Sequence, residues 1–370
     1  MQGSPPADHQ GRQAGRQGRA RTVTRIEVER DVANHAERPQ RTAKMKAVIC
    51  KAYGPPESLV IEDIPAPVPG PGEVVITMKA ASLNFPDLLI IQNKYQMKPP
   101  LPFSPGNELA GIVKAVGEGV TRVKPGHRVM AFTGVGAFAE EVKAPESGVI
   151  PMPDGMDFTT GSAFVVTYGT SDHALADRGE LKAGETLLVL GAAGGVGLAA
   201  VEIGKALGAR VIACASTAEK LDVCKAHGAE AGINYATEDL RERIKELTNG
   251  RGVDVVYDPV GSAFTEPALR SVGWRGRLLV VGFAAGDIPK IPLNLALLKG
   301  CSIVGVFWGE WTRREPERFA ERIAQLSAWY REGRLKPHVS TVLPLDRTIE
   351  ALQMIASRRV TGKVVLVTKD

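Results

Sequence analysis

The sequence predicts an α/β protein in which a doubly wound parallel sheet is set within a β-rich domain. Three observations predict it. From Thr186 onward strands and helices alternate, and the strands are continuous apolar runs, as burial on both faces requires. The first of those strands runs into Gly191-Ala192-Ala193-Gly194-Gly195-Val196-Gly197, and an apolar-faced helix follows. Before Phe158 the chain holds only short alternating or β-branched runs cut by Pro/Gly clusters. The 370 residues suit about two domains, and a 44% hydrophobic fraction excludes global disorder.

Residues 1–44 are rich in Gly, Gln, Arg and Pro, with one apolar alternation at Val23, Ile26 and Val28, and are expected to form a disordered basic tail. They carry nine basic residues against five acidic, whereas the other 326 carry 37 against 36. The net charge of +5 is therefore mostly tail. An N-terminal extension ahead of Met45 is the favoured reading. A transit peptide is opposed by Asp8, Glu27, Glu29, Asp31 and Glu37, and a nucleic-acid arm lacks aromatics for stacking. No nucleic-acid partner is expected.

The β-rich part comprises Met45–Cys50, Leu59–Asp63, Glu73–Ala81, Gly111–Gly117, His127–Phe132 and Gly136–Lys143, the pattern of a compact barrel or sandwich. Phe158–Arg178 lacks Pro and has helical spacing. Strands are expected at Thr186–Leu190, Arg210–Ala215, Gly232–Asn234, Val253–Tyr257 and Arg277–Phe283, with helices between them. After Ser302–Phe307 come helix Pro316–Glu332, a strand, helix Leu345–Ser357 and a last strand, Lys363–Thr368, expected to fold back on the first domain. The longest apolar run, Leu187–Val201, is interrupted by glycines and ends at Glu202, so no membrane span is expected. Four scattered cysteines without a CxxC pair point to reduced thiols and a cytoplasmic protein.

The glycine-rich turn has the context that dinucleotide binding needs. Without Cβ atoms at Gly194, Gly195 and Gly197, backbone beside Val196 can approach a pyrophosphate, and the helix N-terminus favours the anion. A tight helix–sheet contact with no ligand is the structural alternative. At the end of the second strand, Cys214-Ala215-Ser216-Thr217 offers no carboxylate to a ribose, which disfavours NAD. Ser216 can donate to a 2′-phosphate and Lys220 can pair with it, so NADPH is expected. A solvated helix position is the alternative for Lys220.

Residues 45–370 resemble the zinc-free quinone oxidoreductases of the medium-chain dehydrogenase/reductase superfamily, related to zeta-crystallin. The matching stretches are Asn84-Phe85-Pro86-Asp87, Pro105-Gly106-Asn107-Glu108-Leu109-Ala110-Gly111, the AAGGVG turn, Val281–Gly286 and Thr361–Leu366. The resemblance implies a Rossmann doubly wound parallel sheet domain inserted in a GroES-like β-barrel catalytic domain. It divides the chain at 45–166 and 305–370 (catalytic) and 167–304 (NADPH-binding). It implies a homodimer and hydride transfer to a quinone or another conjugated carbonyl.

By the same resemblance Asn84 and Tyr95 line the acceptor side. Thr167 and the Gly282-Phe283 turn approach the nicotinamide or its ribose, Tyr235 lies beside the 2′-phosphate, and Lys363 reaches a cofactor phosphate or hydroxyl. The structural alternatives are a turn residue for Asn84, a loop aromatic for Tyr95, core packing for Phe283 and a surface strand position for Lys363. Zinc-dependent relatives have Gly-His-Glu where this chain has Gly106-Asn107-Glu108, and no Cys occurs between Cys50 and Cys214, so no metal is expected. Asp258 reads as a turn former. Trp308–Arg314 reads as part of the acceptor pocket or as a dimer edge. Reduction of enals, enones or enoyl thioesters is the rival activity, Arg313 and Arg314 being candidates for a carrier phosphate. A non-catalytic NADPH- or RNA-binding protein is the rival of another class.

Overall fold

In a computed structural model the described residues are 43–368, so the expectation for residues 1–42 of the tail lies outside them. Lys44 already belongs to the first strand. That strand, β1 (Lys44–Ile49), pairs antiparallel with β2 (Val60–Pro65) as a two-stranded ribbon.

A second sheet begins with β3 (Glu73–Ser82), β4 (Glu108–Val116), β5 (Arg128–Phe132), β6 (Glu141–Pro145) and β7 (Val149–Pro151). The third is built from β8 (Thr186–Val189), β9 (Arg210–Ala215), β10 (Ala231–Asn234), β11 (Val253–Asp258), β12 (Val272–Val280) and β13 (Ser302–Gly305). The last two strands, β14 (Val339–Pro344) and β15 (Lys363–Val367), return to the second sheet. Its order is β14-β15-β3-β4-β5-β7, with β6 also on β3. The chain end thus folds back as expected, β15 lying antiparallel to β3. The hydrogen bonds of this part form an open sheet with a separate ribbon, tied by the single bridges Ala47–Ala139 and Cys50–Phe103, rather than a closed ring.

The third sheet is parallel throughout, in the order β10-β9-β8-β11-β12-β13. The order reverses between β8 and β11, and a ligand cleft opens at the carboxyl ends of strands at such a switch point. Leu187, Leu188 and Val189 of β8 are fully buried, which is why the strand reads as an unbroken apolar run. Helix Gly195–Ala206 lies close on the sheet: a Cβ at Gly204 would come within 2.6 Å of Leu187 Cδ2.

Two expectations shift. Phe158–Arg178 is divided into helices Phe158–Ser162 and Val165–Asp172 and a wider helical turn, His173–Arg178. β12 starts at Val272, earlier than expected, because Val253 pairs with Val272 across an irregular register, and helix Thr265–Arg270 is correspondingly short.

Candidate functional site

The glycine turn lies at the switch point. Gly191 takes φ +58°, a conformation that favours glycine, and Gly194 N–H donates to Gly191 O at 3.0 Å to tighten the turn. Gly194 caps the helix, so the free N–H groups of its first turn face the cleft. A Cβ at Gly197 would stand 2.3 Å from Gly191 O, and one at Gly195 would stand 2.7 Å from Lys363 Cδ and 3.2 Å from Thr167 Cγ2. The structure therefore gathers Thr167, Gly194, Gly195, Val196, Gly197 and Lys363 around one helix N-terminus. The C-terminal segment is laced to it through Gly362 N–H, which donates to Ala193 O at 2.7 Å.

Ser216 follows β9 and Tyr235 follows the adjacent β10, with Tyr235 N–H bonded to Ala215 O, which sets the two side by side. The Tyr235 ring packs on Phe264 at 4.5 Å, and burial raises the pKa of its phenol. Thr217 caps helix Ala218–Ala226, and Lys220 Nζ leaves that helix to donate to Arg358 O at 3.0 Å. That bond ties the half-exposed Lys220 to the segment ahead of Thr361-Gly362-Lys363. Arg358 in turn donates to Ala285 O at 2.8 Å, clipping the turn that contains Gly282 and Phe283. Sequence reasoning missed Arg358; the Arg358-Arg359 pair just ahead of Thr361-Gly362-Lys363 was the signal available. Phe283 is half-buried against Gly261 at the mouth of the cleft.

On the other side of Lys363 lies a buried polar cluster. Lys363 is only 5% exposed, which excludes the surface-strand alternative, and its Nζ donates to Leu83 O at 2.7 Å, Asn84 Oδ1 at 2.6 Å and Glu108 Oε1 at 3.1 Å. Asn84 Nδ2 donates to Asn107 Oδ1 and to Glu108 Oε1, each at 2.8 Å. Ser82 Oγ and Val166 N–H also donate to Glu108. Asn84 further heads helix Phe85–Ile91 in a capping box with Asp87. Tyr95 is half-buried nearby; burial, and secondly the charge of Asp87, raise the pKa of its phenol and keep it protonated at neutral pH.

Other candidates make packing and turn contacts. Asp258 accepts from Val260 N–H, Gly261 N–H and Thr265 Oγ1, which makes it the expected turn former. Trp308 and Trp311 are buried, Trp308 standing edge-on to Phe132 at 4.8 Å. Arg313 and Arg314 both pair with Glu310 on an exposed face. Among the described residues no group of three or more His, Cys, Asp or Glu is placed to hold a metal ion.

A GroES-like part and a parallel nucleotide-binding sheet, joined at a glycine turn, define an oxidoreductase of the medium-chain dehydrogenase/reductase class. Residues 70–154 match the alcohol dehydrogenase GroES-like domain and residues 195–328 the zinc-binding dehydrogenase family. The quinone oxidoreductase-like protein 2 homolog of Nematostella vectensis is 38% identical over 90% of this chain and 91% of its own. The quinone oxidoreductase of Sus scrofa is 34% identical over 87% of this chain and 97% of its own. The Escherichia coli quinone oxidoreductase, solved in complex with NADPH, superposes with a TM-score of 0.82 at 31% identity, covering 87% of this chain and 99% of that one. This chain belongs to the quinone oxidoreductase family.

Proposed function

We propose that the protein catalyses NADPH-dependent, zinc-independent hydride transfer to quinones. The observation that carries this is the glycine turn at the switch point, where an added Cβ at Gly195 would meet Lys363 and Thr167 and one at Gly197 would meet the backbone of the turn itself. The residues there fit NADPH. The N–H groups of Gly195, Val196 and Gly197, in the first turn of the helix that Gly194 caps, suit the pyrophosphate, and Ser216, Lys220, Tyr235 and Arg358 form a 2′-phosphate corner with no carboxylate at the end of β9. Thr167, Lys363, Gly282 and Phe283 flank the nicotinamide end. The NADPH complex of the Escherichia coli relative supports the same choice. When bound, the reduced nicotinamide supplies the hydride.

Tyr95, held protonated, is placed to donate a hydrogen bond to the acceptor oxygen, and Asn84 fixes the floor of that side through Asn107, Glu108 and Lys363. Zinc independence rests on the donor set. Asn107 replaces an imidazole with an amide already bonded to Asn84, and a conjugated acceptor needs no Lewis acid to take hydride. An enoyl thioester carrier would want bases at its phosphate; Arg313 and Arg314 share the one carboxylate of Glu310 on an exposed face.

The chain divides at 45–166, 167–304 and 305–370 into the two parts of a catalytic domain around an NADPH-binding domain. Homodimers form along β13, the end strand of its sheet, where Trp274, Leu293, Leu297 and Leu298 are exposed together with Ile303. Among the described residues no helix is long and apolar enough to cross a membrane. Four free cysteines suit the cytoplasm, and the even charge balance beyond the tail offers no nucleic-acid surface. The test is NADPH oxidation with a panel of quinones, enals and enoyl thioesters. Turnover of quinones supports the reading, and turnover of none of the three classes overturns it.

A further inference from the structure

The cluster beside Lys363 holds an imbalance of charge that the reading above does not use. Two carboxyl groups and one ammonium are enclosed together: Asp87 and Glu108 are fully buried and Lys363 nearly so. Glu108 is well provided, accepting from Ser82 Oγ, Asn84 Nδ2, Lys363 Nζ and Val166 N–H. Asp87 is not. Its Oδ2 accepts one bond, from Asn84 N–H at 2.7 Å, and its Oδ1 is buried with no hydrogen-bond partner. With all three groups ionised the site would carry one surplus negative charge, resting on the carboxylate with the fewest donors. A buried charge of that kind takes up a proton instead.

The place of the cluster matters as much as its charge. Lys363 spans it, with Cδ against Gly195 at the helix N-terminus and Nζ among the acids. On the other side Asp87, when ionised, lies within electrostatic reach of the phenol of Tyr95. We propose that this cluster is the enzyme's proton store, with Asp87 resting as the neutral acid and releasing its proton to match each hydride delivered to the acceptor. The proposal rests on the quinone reading above.

The step balances. Hydride addition converts a quinone to the hydroquinone anion, the proton from Asp87 neutralises that oxygen by way of the Tyr95 side, and the Asp87 carboxylate is reprotonated from solvent before the next turnover. Asp87 holds the proton and does not touch the acceptor. The charged and titratable groups facing it are Glu108 on β4, Lys363 on β15 and Tyr95 beyond its own helix. Burial pushes the Asp87 carboxyl up to about 7, against the Asn84 N–H bond and Lys363, with Glu108 adding to the rise.

The test has two arms on the full-length protein. In the first, infrared titration with carboxyl-labelled aspartate, free of cofactor and acceptor, should show a protonated-acid band that disappears with a midpoint near pH 7 and is missing in Asp87→Asn. No such band between pH 5 and 9 in the wild type, or its persistence in the variant, overturns the proposal. The wild-type titration alone can overturn the proposal, whether or not the variant folds. In the second, single-turnover NADPH oxidation by a simple quinone should slow about tenfold from pH 6 to pH 8, following a donor that titrates at about 7. Asp87→Asn should flatten that slope and Asp87→Glu restore it, whereas an unchanged slope in Asp87→Asn overturns it. A wild type that ignores quinones yet shows the infrared titration upholds the neutral resting state of Asp87 and defeats the quinone reading, and with it the delivery of that proton to a quinone.

Discussion

Replacing Gly197 by Ala tests the cofactor turn at its tightest point. The new Cβ would lie 2.3 Å from Gly191 O, 2.8 Å from Ala192 Cα and 2.9 Å from Ala192 C. All three are backbone atoms, so no side chain can swing aside and the turn itself must open. Overpacking of this kind costs about 1–3 kcal/mol, and the displaced N–H groups lose their aim at the pyrophosphate. Since about 1.4 kcal/mol is a factor of ten, a loss of that size from the binding free energy would weaken NADPH by about fivefold to a hundredfold. Gly309→Ala is the control, because a Cβ there meets nothing within 4 Å. It should leave affinity unchanged and stabilise the protein by up to about 1 kcal/mol. Thermal melts and fluorescence titration with NADPH measure both quantities. Wild-type melting temperature and affinity in Gly197→Ala would refute the account of the turn.

Lys220→Ala should weaken NADPH by roughly tenfold or more while affecting NADH far less, because a hydrogen bond to a charged group contributes about 1.5–3 kcal/mol. Equal losses in titrations with the two cofactors would remove Lys220 from the 2′-phosphate corner, and Arg358→Ala should follow the same pattern. Asp87 makes stability depend on pH: its carboxyl, raised from 3.8 to about 7, binds a proton in the folded protein that the unfolded chain has released. Stability from this group is therefore complete below the lower value and is lost as pH rises to the upper one, by up to about 1.4 kcal/mol per pH unit. Melting curves from pH 5 to 8 should show Asp87→Asn gaining on the wild type as pH rises, and parallel curves would contradict this. Charging the exposed edge with Leu297→Glu and Leu298→Glu should shift the protein to monomers in sedimentation velocity; an unmoved dimer would place the interface elsewhere.

The parallel sheet was legible because its strands are buried on both faces and so repeat no polar residue, as Leu187–Val189 show. The glycine turn was legible because Gly191 and Gly197 answer to steric needs that no other residue meets. Lys220 could be placed from its position just after the second strand, whose carboxyl end faces the cleft, whereas Tyr235 was placed by resemblance. Asp87 was different. In the sequence it is only the last member of the Asn84-Phe85-Pro86-Asp87 stretch, and only the packing shows that its second oxygen has no donor. Lys363 was ambiguous for a related reason: its Nζ bonds Leu83 O, 280 positions away in sequence, a contact that no local pattern encodes. Arg358 escaped notice because its role depends on a carbonyl, Ala285 O, rather than on a motif. The open hydrogen bonding of the GroES-like part was hidden in the Pro/Gly clusters, which mark turns without stating which strands pair.

Initial rates of the chelator-treated full-length protein, with NADPH and then NADH against one simple quinone, decide whether hydride passes from NADPH to a quinone without a metal. Oxidation should depend on the quinone, survive chelation and favour NADPH by at least about tenfold in kcat/KM, as the charge-assisted contacts of the 2′-phosphate corner require. Oxidation that vanishes with chelation and returns with zinc, or that shows no preference between the two cofactors, would contradict it.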